Sequence, residues 1–371
     1  MREGWTYKKL KDIGVVVTGN TPSTKDKENY SSDDYCFVKP SDIAKDGVSI
    51  IKDSESYISE KGYNSSRKLP KGSVLTTCIG IIGKVGILEI DAICNQQINA
   101  IIPSRTILPK YLALAILSVR SQLEAMANAP VVPIINKGVF SNVEIPVPSF
   151  EEQERIVAEL DLLTEIIDKQ KQQLKELDTL SQSIFYDMFG NPEENTKCWR
   201  TEKFQTICTS LFAGGDVPKD NYSETKSETY NVPILSNGVG DKAVYGYTNK
   251  ARVFDECITI SGRGTIGYCE VRSEPFFPVV RLIVAVPNKD ILLPIVLKYI
   301  VDLLHLHGVG VAIPQLTIPM VKNVSIILPS MEMQCLFAKI IQSIESQKQS
   351  INRSIAESQK LFDYTMDKYF G

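Results

Sequence analysis

Residues 148–190 read PSFEEQERIVAELDLLTEIIDKQKQQLKELDTLSQSIFYDMFG, and residues 329–371 read PSMEMQCLFAKIIQSIESQKQSINRSIAESQKLFDYTMDKYFG. A shift of 181 residues (148 onto 329) aligns the two stretches without a gap and brings Gln153 onto Gln334. Both stretches begin with Pro-Ser and close with Phe-Gly. Matched boundaries around a gapless alignment argue against chance similarity between unrelated apolar segments. The sequence therefore indicates that the chain consists of two copies of one repeated unit.

The two stretches predict long helices that form a coiled coil. Ser149 can cap the first helix, and Glu152 completes a capping box. Apolar residues then recur at alternating spacings of four and three, with a few polar interruptions. Each helix of about 40 residues would span roughly 60 Å. The first seam is Ile156, Leu160, Leu163, Ile167, Gln170, Leu174, Leu177, Ser181, Ile184 and Met188; the second is Phe337, Ile341, Ile344, Lys348, Ile351, Ile355, Ser358, Phe362, Thr365 and Tyr369.

Equal helix lengths favour pairing of the two helices with each other, and an antiparallel pair related by a pseudo-two-fold axis is the expected arrangement. The polar seam residues Gln170, Lys348, Ser181 and Ser358 would then fix the register. The alternative is that each amphipathic helix packs only on its own domain. A period of 3.5 residues held over five heptads favours an exposed seam instead.

The remaining parts predict mixed α/β domains. Residues 71–103 and 257–287 alternate turn signals with β-rich runs, such as Ser73–Thr77, Val85–Leu88 and Ile98–Ile102. A helix with Pro in its first turn is expected after each, from Leu108 to Arg120 and from Leu293 to Leu304. Further loops flanked by proline, Pro130–Pro133 and Ala312–Pro314, lead back to the long helices. The predicted domains are residues 1–148, the first spacer helix 149–190, residues 191–329 and the second spacer helix 330–371.

Charge is divided unevenly along the chain, whose net charge is −3. Residues 1–140 hold 18 basic and 14 acidic side chains, whereas residues 141–190 hold 4 and 11. The acidic excess therefore marks a solvated or protein-facing helix surface. The eight cysteines form no CxxC pair, and two histidines are too few for a zinc site, so reduced thiols in the cytoplasm are expected. Neither a secretory signal nor a membrane span is recognisable.

Several motifs resemble those of specificity subunits of type I restriction-modification systems. They are SGRGTIG at 261–267, NQQINAI at 95–101, GNTPS at 19–23, VKPSDI at 38–43 and PSFEEQ at 148–153. The second copy departs from the first, because Val279-Val280-Arg281 replaces Asn95-Gln96-Gln97 and Tyr268 replaces Lys84. These departures suggest that the two halves read different DNA sequences.

The resemblance implies a non-catalytic subunit with two target-recognition domains, each of which reads half of a bipartite site in double-stranded DNA. The paired helices would set the gap and dock two methyltransferase subunits, which in turn bring the restriction subunits. S-adenosylmethionine, ATP and Mg would be bound by those partners, and this chain would hold no cofactor or metal and contact no membrane.

Motifs for independent catalysis are incomplete. Asn191-Pro192-Glu193 lacks the second proline and aromatic residue of a methyltransferase motif, and Gly238-Val239-Gly240 lacks a third glycine. The turn Gly80–Lys84 lacks phosphate-loop spacing, and Glu224-Thr225-Lys226 lies in a polar run instead of a strand. His305 and His307 follow an apolar helix, where packing or capping is the simpler reading.

Base edges are best read by Arg, Lys, Asn and Gln, and phosphates by Lys, Arg and hydroxyl groups. The candidate DNA-binding residues are Thr21, Ser23, Lys25, Lys39, Arg67, Lys68, Lys84 and Gln97 in the first domain, and Lys219, Tyr222, Asn237, Tyr245, Arg263, Arg281 and Gln315 in the second. For each, a solvated or structural side chain is the alternative. Two other functions stay open, a stand-alone nuclease or methyltransferase and a coiled-coil adaptor that binds only proteins.

Overall fold

The computed structural model describes residues 4–127, 133–308 and 314–371. Contacts within the chain divide it into two compact units. Unit 1 comprises Met1–Gln170 and Ser354–Gly371, and unit 2 comprises Lys171–Arg353. Each unit thus holds one mixed domain and half of each long helix.

The elements of the first copy are β1 (Thr6–Lys9), α1 (Leu10–Ile13), β2 (Gly14–Thr18), β3 (Tyr35–Val38), β4 (Val48–Ile51), β5 (Tyr57–Ile58), α2 (Glu60–Asn64), β6 (Val74–Thr77), β7 (Val85–Leu88), β8 (Ala92–Cys94), β9 (Ile98–Pro103), α3 (Pro109–Ser118), α4 (Arg120–Met126), α5 (Lys137–Ser141), β10 (Glu144–Val147) and α6 (Phe150–Phe189). Those of the second copy are β11 (Arg200–Lys203), α7 (Phe204–Ile207), β12 (Cys208–Ala213), β13 (Val232–Leu235), β14 (Val244–Thr248), β15 (Cys257–Ile260), β16 (Cys269–Arg272), β17 (Phe277–Pro278), β18 (Ile283–Pro287), α8 (Pro294–Leu303), α9 (Ile318–Val321), β19 (Ser325–Leu328) and α10 (Met331–Phe370). The predicted mixed fold class and both long helices are confirmed. Pro130–Val132 and Ala312–Ile313 of the two predicted proline-flanked loops lie outside the described residues.

The described part of unit 1 forms three sheets. The largest has the strand order β2-β9-β6-β7-β4, and a smaller one has the order β5-β3-β8. The third is the antiparallel pair of β1 with β10, which joins Thr6 to Val147. Strands β6 and β7 are buried throughout, which fits their near-continuous apolar sequence. Helix α3 begins at Pro109, as predicted, and its buried residues join the main core with the β-sheet.

Unit 2 repeats much of this plan. Its main sheet has the order β12-β18-β15-β16, and the antiparallel pair of β11 with β19 corresponds to β1 with β10. A separate three-stranded sheet has the order β14-β13-β17. Helix α8 begins at Pro294 and packs on β15 and β16. The two copies therefore share a scaffold and differ in the strands added to it.

The long helices run antiparallel to each other within unit 1. Gln170 Nε2 of α6 donates to Ser354 Oγ of α10 over 2.7 Å, and Glu159 Oε2 accepts from Tyr369 Oη over 2.6 Å. Advancing along α6 from 159 to 170 means moving back along α10 from 369 to 354. The seam residues Ile156 and Leu160 are fully buried. The predicted pairing of the two helices is confirmed in this unit.

The same antiparallel order holds within unit 2. Lys348 Nζ lies 2.6 Å from Asp178 Oδ1, and the rings of Phe337 and Phe185 are 5.6 Å apart, edge to face. Phe189 also packs against Phe337 at 5.3 Å. Aromatic pairs in this geometry add to the free energy of burying their surfaces. Polar seam residues and aromatic rings together fix which residues face each other.

A matched glutamine joins each long helix to its domain. Gln153 is fully buried; its Oε1 accepts from the backbone of Leu108, and its Nε2 donates to the carbonyls of Thr106 and Pro148. Gln334 makes the same three bonds with Leu293, Ile291 and Pro329. Ser149 Oγ accepts from Glu152 N at 3.3 Å, in line with the predicted cap.

The described cysteines are all free thiols. Burial raises the pKa of Cys78 to about 11 and that of Cys94 to about 12, so both are protonated at neutral pH. Among the described helices, none is long and apolar enough to cross a membrane.

Candidate nucleic-acid interface

In unit 1, several loops meet at one end of the five-stranded sheet. Strands β2 and β6 end there, whereas β9 and β7 begin there. Gly19 N donates to Ile98 O at 3.0 Å, and Cys78 N donates to Gln97 O at 2.8 Å. These bonds tie the loop after β2, the turn before β9 and the β6–β7 turn into one surface, which we call the sheet end of unit 1.

Three predicted residues of the first domain come together at this sheet end. Thr21 Oγ1 donates to Gln96 Oε1 at 2.5 Å, and Arg67 Nη1 donates to Thr18 O at 2.6 Å. Gln97 Oε1 accepts from Asn95 Nδ2 at 2.9 Å. Thr21 and Arg67 are exposed, so their remaining donors and acceptors are available to a ligand.

Ser23 and Lys25 continue the loop that follows Thr21, and both are exposed. Lys68 is exposed as well; its ammonium donates to Asn64 Oδ1 at 2.6 Å and lies 5.0 Å from the ring centre of Tyr63. A flexible lysine beside an aromatic ring can still reach a phosphate, because its charge needs no fixed geometry.

Lys84 and Lys39 are committed to the protein itself. Lys84 Nζ donates to the carbonyls of Pro40 and Ile43, both at 2.7 Å. Lys39 Nζ donates to Ser56 Oγ at 2.8 Å and lies 5.3 Å from the ring centre of Phe37. Both are half-buried, so the structure assigns them first to fastening loops.

Unit 2 has an equivalent sheet end. Strands β12 and β15 end there, and β18 and β16 begin there. Asn237 links the loops: its Oδ1 accepts from Gly262 N at 2.7 Å, and its Nδ2 donates to Val280 O at 2.8 Å. Since both ends of its amide are used, Asn237 positions the surface and has little left for a base.

Arg263, Gln315 and Arg281 lie at the sheet end of unit 2. Arg263 Nη2 donates to Gln315 Oε1 at 3.1 Å. Arg281 is exposed, has a φ of +62°, and its backbone N donates to Gly214 O at 3.1 Å. Its neighbour Val280 has a φ of +51°. Two non-glycine residues in the left-handed region are costly, and such strain is concentrated at functional sites.

The remaining candidates of unit 2 lie on the loop between β12 and β13 and on β14. Tyr222 and Tyr245 form a tilted ring pair with centroids 5.9 Å apart, where Ser223 bridges to Tyr247 on β14. Burial raises the pKa of Tyr222, so its hydroxyl stays a donor. Lys219 is exposed on the loop between β12 and β13.

Sequence reasoning missed Arg252, an exposed residue whose guanidinium lies 4.6 Å from the ring centre of Phe212. It is 3.9 Å from the position that a side chain on Gly215 would take, next to the strained Val280–Arg281 turn. No motif in the sequence distinguishes Arg252. It reaches this turn only because β12 folds against it and Val253 pairs with the distant Phe276.

The β6–β7 and β15–β16 turns each contain a glycine in a backbone conformation that other residues rarely adopt. Gly83 and Gly267 have φ values of +75° and +84°. A side chain on Gly83 would come within 2.7 Å of Arg120, and one on Gly267 within 3.0 Å of the Leu306 carbonyl. Both turns therefore need glycine at this position. Within the described ranges, no group of His, Cys, Asp and Glu is arranged to hold a metal ion.

Comparison with known proteins shows which family the chain resembles. A family model described as type I restriction modification DNA specificity domain matches residues 2–179 and again 197–358. The MjaIX type I restriction enzyme specificity subunit of Methanocaldococcus jannaschii is 26% identical over 98% of this chain and 92% of its own length. The EcoR124I/EcoR124II specificity subunit of Escherichia coli is 32% identical over 48% of this chain and 42% of its length.

Solved structures share the fold across the whole chain. A chain from a study of complex assembly and conformational transition of the type I R-M system aligns with a TM-score of 0.63, at 19% identity, over 100% of this chain and 98% of that one. The S subunit of a type I restriction-modification system from M. genitalium aligns at 0.56, with 14% identity, over 99% and 96%. With a family model matching both copies, the chain belongs to the type I restriction-modification DNA specificity family.

Proposed function

We propose that this chain is the non-catalytic DNA-reading subunit of a type I restriction-modification complex and that each unit reads one half of a bipartite site in double-stranded DNA. The observation that carries the proposal is the repeated sheet end. In unit 1, Thr77 N donates to Lys84 O at 3.0 Å; in unit 2, Ser261 N donates to Tyr268 O at 2.9 Å. The same rigid turn thus presents different side chains in each copy.

The available groups suit a nucleic acid. The exposed cationic side chains are Arg67 and Lys68 in unit 1 and Arg252 and Arg281 in unit 2. Cationic side chains supply affinity for phosphates, and amides and guanidinium groups discriminate bases. Acidic charge is concentrated elsewhere, between residues 141 and 190.

We propose that methyltransferase subunits dock on the outer faces of the paired helices and bring the restriction subunits with them. Leu162 is 59% exposed in unit 1, and Leu336 is 54% exposed in unit 2. Both project from helices whose seam residues are already buried. Leu162 and Ile166, one helical turn apart, form an exposed apolar patch of the kind that protein partners cover. S-adenosylmethionine, ATP and Mg would belong to these partners, and the reduced thiols support a cytoplasmic location.

The DNA part of the proposal is tested on the complex assembled with its methyltransferase. Arg281→Ala should weaken duplex binding and lower the slope of log affinity against log salt by about 1. Arg353→Ala is the matched control, because Arg353 is exposed on α10 away from the sheet end of unit 2. Equal effects of both changes, or none from either, would refute DNA reading through this surface.

The docking part is tested separately by Leu162→Glu, which should prevent capture of the methyltransferase. The helical circular dichroism of the chain should stay the same. Glu165→Gln, one turn further along the same exposed surface, is the control. A protein-only adaptor would capture the partner and protect no DNA, and cleavage or methyl transfer by the purified chain alone would favour an enzyme.

A further inference from the structure

The turns at the two sheet ends make the same backbone hydrogen bonds. Gly83 N donates to Thr77 O at 2.9 Å in unit 1, and Gly267 N donates to Ser261 O at 2.9 Å in unit 2. A second segment pairs with each turn: Ile135 N donates to Cys78 O at 2.9 Å, and Leu316 N donates to Gly262 O at 2.9 Å. Positions in the two copies therefore correspond residue by residue.

This correspondence defines three matched positions, two on the turn and one on the facing segment. In unit 1 they hold Ile79, Ile81 and Ile134, which we call the apolar triad. In unit 2 they hold Arg263, Thr265 and Gln315, which we call the polar triad. The frame is the same, but the chemistry that it presents is opposite.

The apolar triad is held in the open by backbone bonds. Ile81 is 53% exposed and Ile134 is 44% exposed, whereas the adjacent Ile82 is buried. Ile79 pairs with Ile134 in a β-bridge, and Gly80 N donates to Pro133 O at 3.1 Å. Thr77 Oγ1 donates to the Ile81 carbonyl at 2.6 Å. These contacts prevent the triad from collapsing into the core, so it presents methyl groups at the sheet end.

The polar triad presents hydrogen-bond donors. Because Arg263 can only donate, the Gln315 amide must turn its oxygen toward Arg263, which leaves Gln315 Nε2 as a donor. Arg263 Nε is fully buried and finds no acceptor among the residues that the structure describes. Because Nε is enclosed, a ligand acceptor would meet the terminal Nη groups of the half-buried Arg263 side chain, and a hydrogen bond to a charged donor is stronger than one to a neutral donor.

We propose that these three positions read bases: the apolar triad contacts thymine methyl groups, and the polar triad hydrogen-bonds the N7 and O6 atoms of a guanine. This rests on the proposed DNA-reading function. In the major groove only guanine offers two acceptors side by side, and only thymine offers a methyl group. Adenine presents an amino donor beside its N7 atom, and this donor would face a donor of the polar triad. A DNA phosphate could instead accept a hydrogen bond from Arg263, and the experiments below distinguish this from guanine reading.

The first experiment exchanges the triads in the complex with the methyltransferase and sequences the methylated sites. Arg263→Ile with Thr265→Ile and Gln315→Ile should change one half-site, with loss of its guanine, and leave the other half-site intact. The reverse exchange in unit 1 should change only the other half-site. Ile291→Thr, a partly exposed residue outside the triads, is the control. Unchanged half-sites in well-folded exchange variants would overturn the proposal.

Modified DNA tests the wild-type complex, so the result does not depend on whether a variant folds. Uracil in place of thymine in one half-site should weaken binding about fourfold for each contacted methyl group. Replacing guanine by 7-deazaguanine in the other half-site should weaken binding roughly tenfold or more, because a charge-assisted bond is lost. No effect from either base would refute the triad roles.

Arg263→Lys separates base reading from phosphate binding. Lysine keeps the charge but loses the planar fork, so guanine reading predicts a weakened preference for the guanine in the methylated site. Phosphate binding instead predicts an unchanged site and insensitivity to 7-deazaguanine, which overturns the guanine assignment. If the wild-type complex bound no DNA sequence specifically, the proposed function itself would fail, and that result is distinguishable from loss of either triad role.

Discussion

Replacing Gln153 by Met provides the sharpest test of how each domain is joined to its long helix. Methionine has nearly the same volume and no amide, so the change removes hydrogen bonds without opening a large cavity. Gln153 is fully buried and makes three bonds to backbone groups. At about 1 kcal/mol net for each bond, Gln153→Met should lower the free energy of unfolding of unit 1 by about 3 kcal/mol.

The second copy repeats the experiment inside the same molecule. Gln334 makes the matching three bonds, so Gln334→Met should cost unit 2 about the same 3 kcal/mol. The chain has two tryptophans, Trp5 in unit 1 and Trp199 in unit 2. With the other tryptophan replaced by Phe, urea unfolding followed by fluorescence measures one unit at a time.

The controls are exposed glutamines, Gln122→Met in unit 1 and Gln172→Met in unit 2. Surface changes of this kind usually alter stability by less than about 0.5 kcal/mol. If Gln153→Met cost less than about 1 kcal/mol, or if the controls cost as much, the glutamine joint would not be holding the domain to its helix.

Three further changes address the seam, a loop and the helix length. Lys348 is only 15% exposed, and this burial lowers the pKa of its ammonium group. Hydrogen bonds to Asp178 and Glu345 outweigh burial and raise that pKa above the ordinary 10.5. The ion pair therefore stabilises the fold fully below pH 10.5, and this stabilisation is lost as the pH rises through the raised pKa. Lys348→Leu should remove this alkaline loss in a pH series of urea midpoints while changing stability at pH 7 by less than about 1 kcal/mol; an unchanged alkaline profile would contradict this. Lys84→Met should destabilise unit 1 by about 2 kcal/mol through loss of two carbonyl contacts and leave the salt slope of DNA binding unchanged; a reduced slope with intact stability would instead favour phosphate contact. Seven residues inserted after Gln170 and seven before Ser354 should lengthen each helix by about 10 Å, and the gap between methylated half-sites by about 3 base pairs; unchanged spacing would refute the measuring role of the helices.

The architecture was predictable because it depends on periodicity. Each seam position named from heptad spacing is buried or half-buried, from Ile156 to Met188 and from Phe337 to Tyr369. The turns were predictable as well, since Gly83 and Gly267 need a positive φ that few other residues adopt. Local sequence fixes these features without knowledge of distant partners.

The reading surface was only partly predictable, because contacts between distant residues decide which side chains remain available. Lys84 is used by carbonyls of Pro40 and Ile43, more than 40 residues away in sequence. Asn237 was named for its amide, but both amide ends fasten loops. The isoleucines carry no polar group that would mark them in the sequence as base readers. Their exposure at the sheet end is visible only once the fold is known.

The paired glutamine joints have a consequence for how such proteins diversify. Each joint grips only main-chain atoms around Thr106, Leu108 and Pro148, or their counterparts in the second copy, and so makes little demand on neighbouring side chains. A genetic crossover at either Pro-Ser boundary would join a different recognition domain to a long helix whose glutamine can form the same backbone hydrogen bonds. New combinations of specificity could then arise by exchange of whole domains, with the long helices α6 and α10 unchanged.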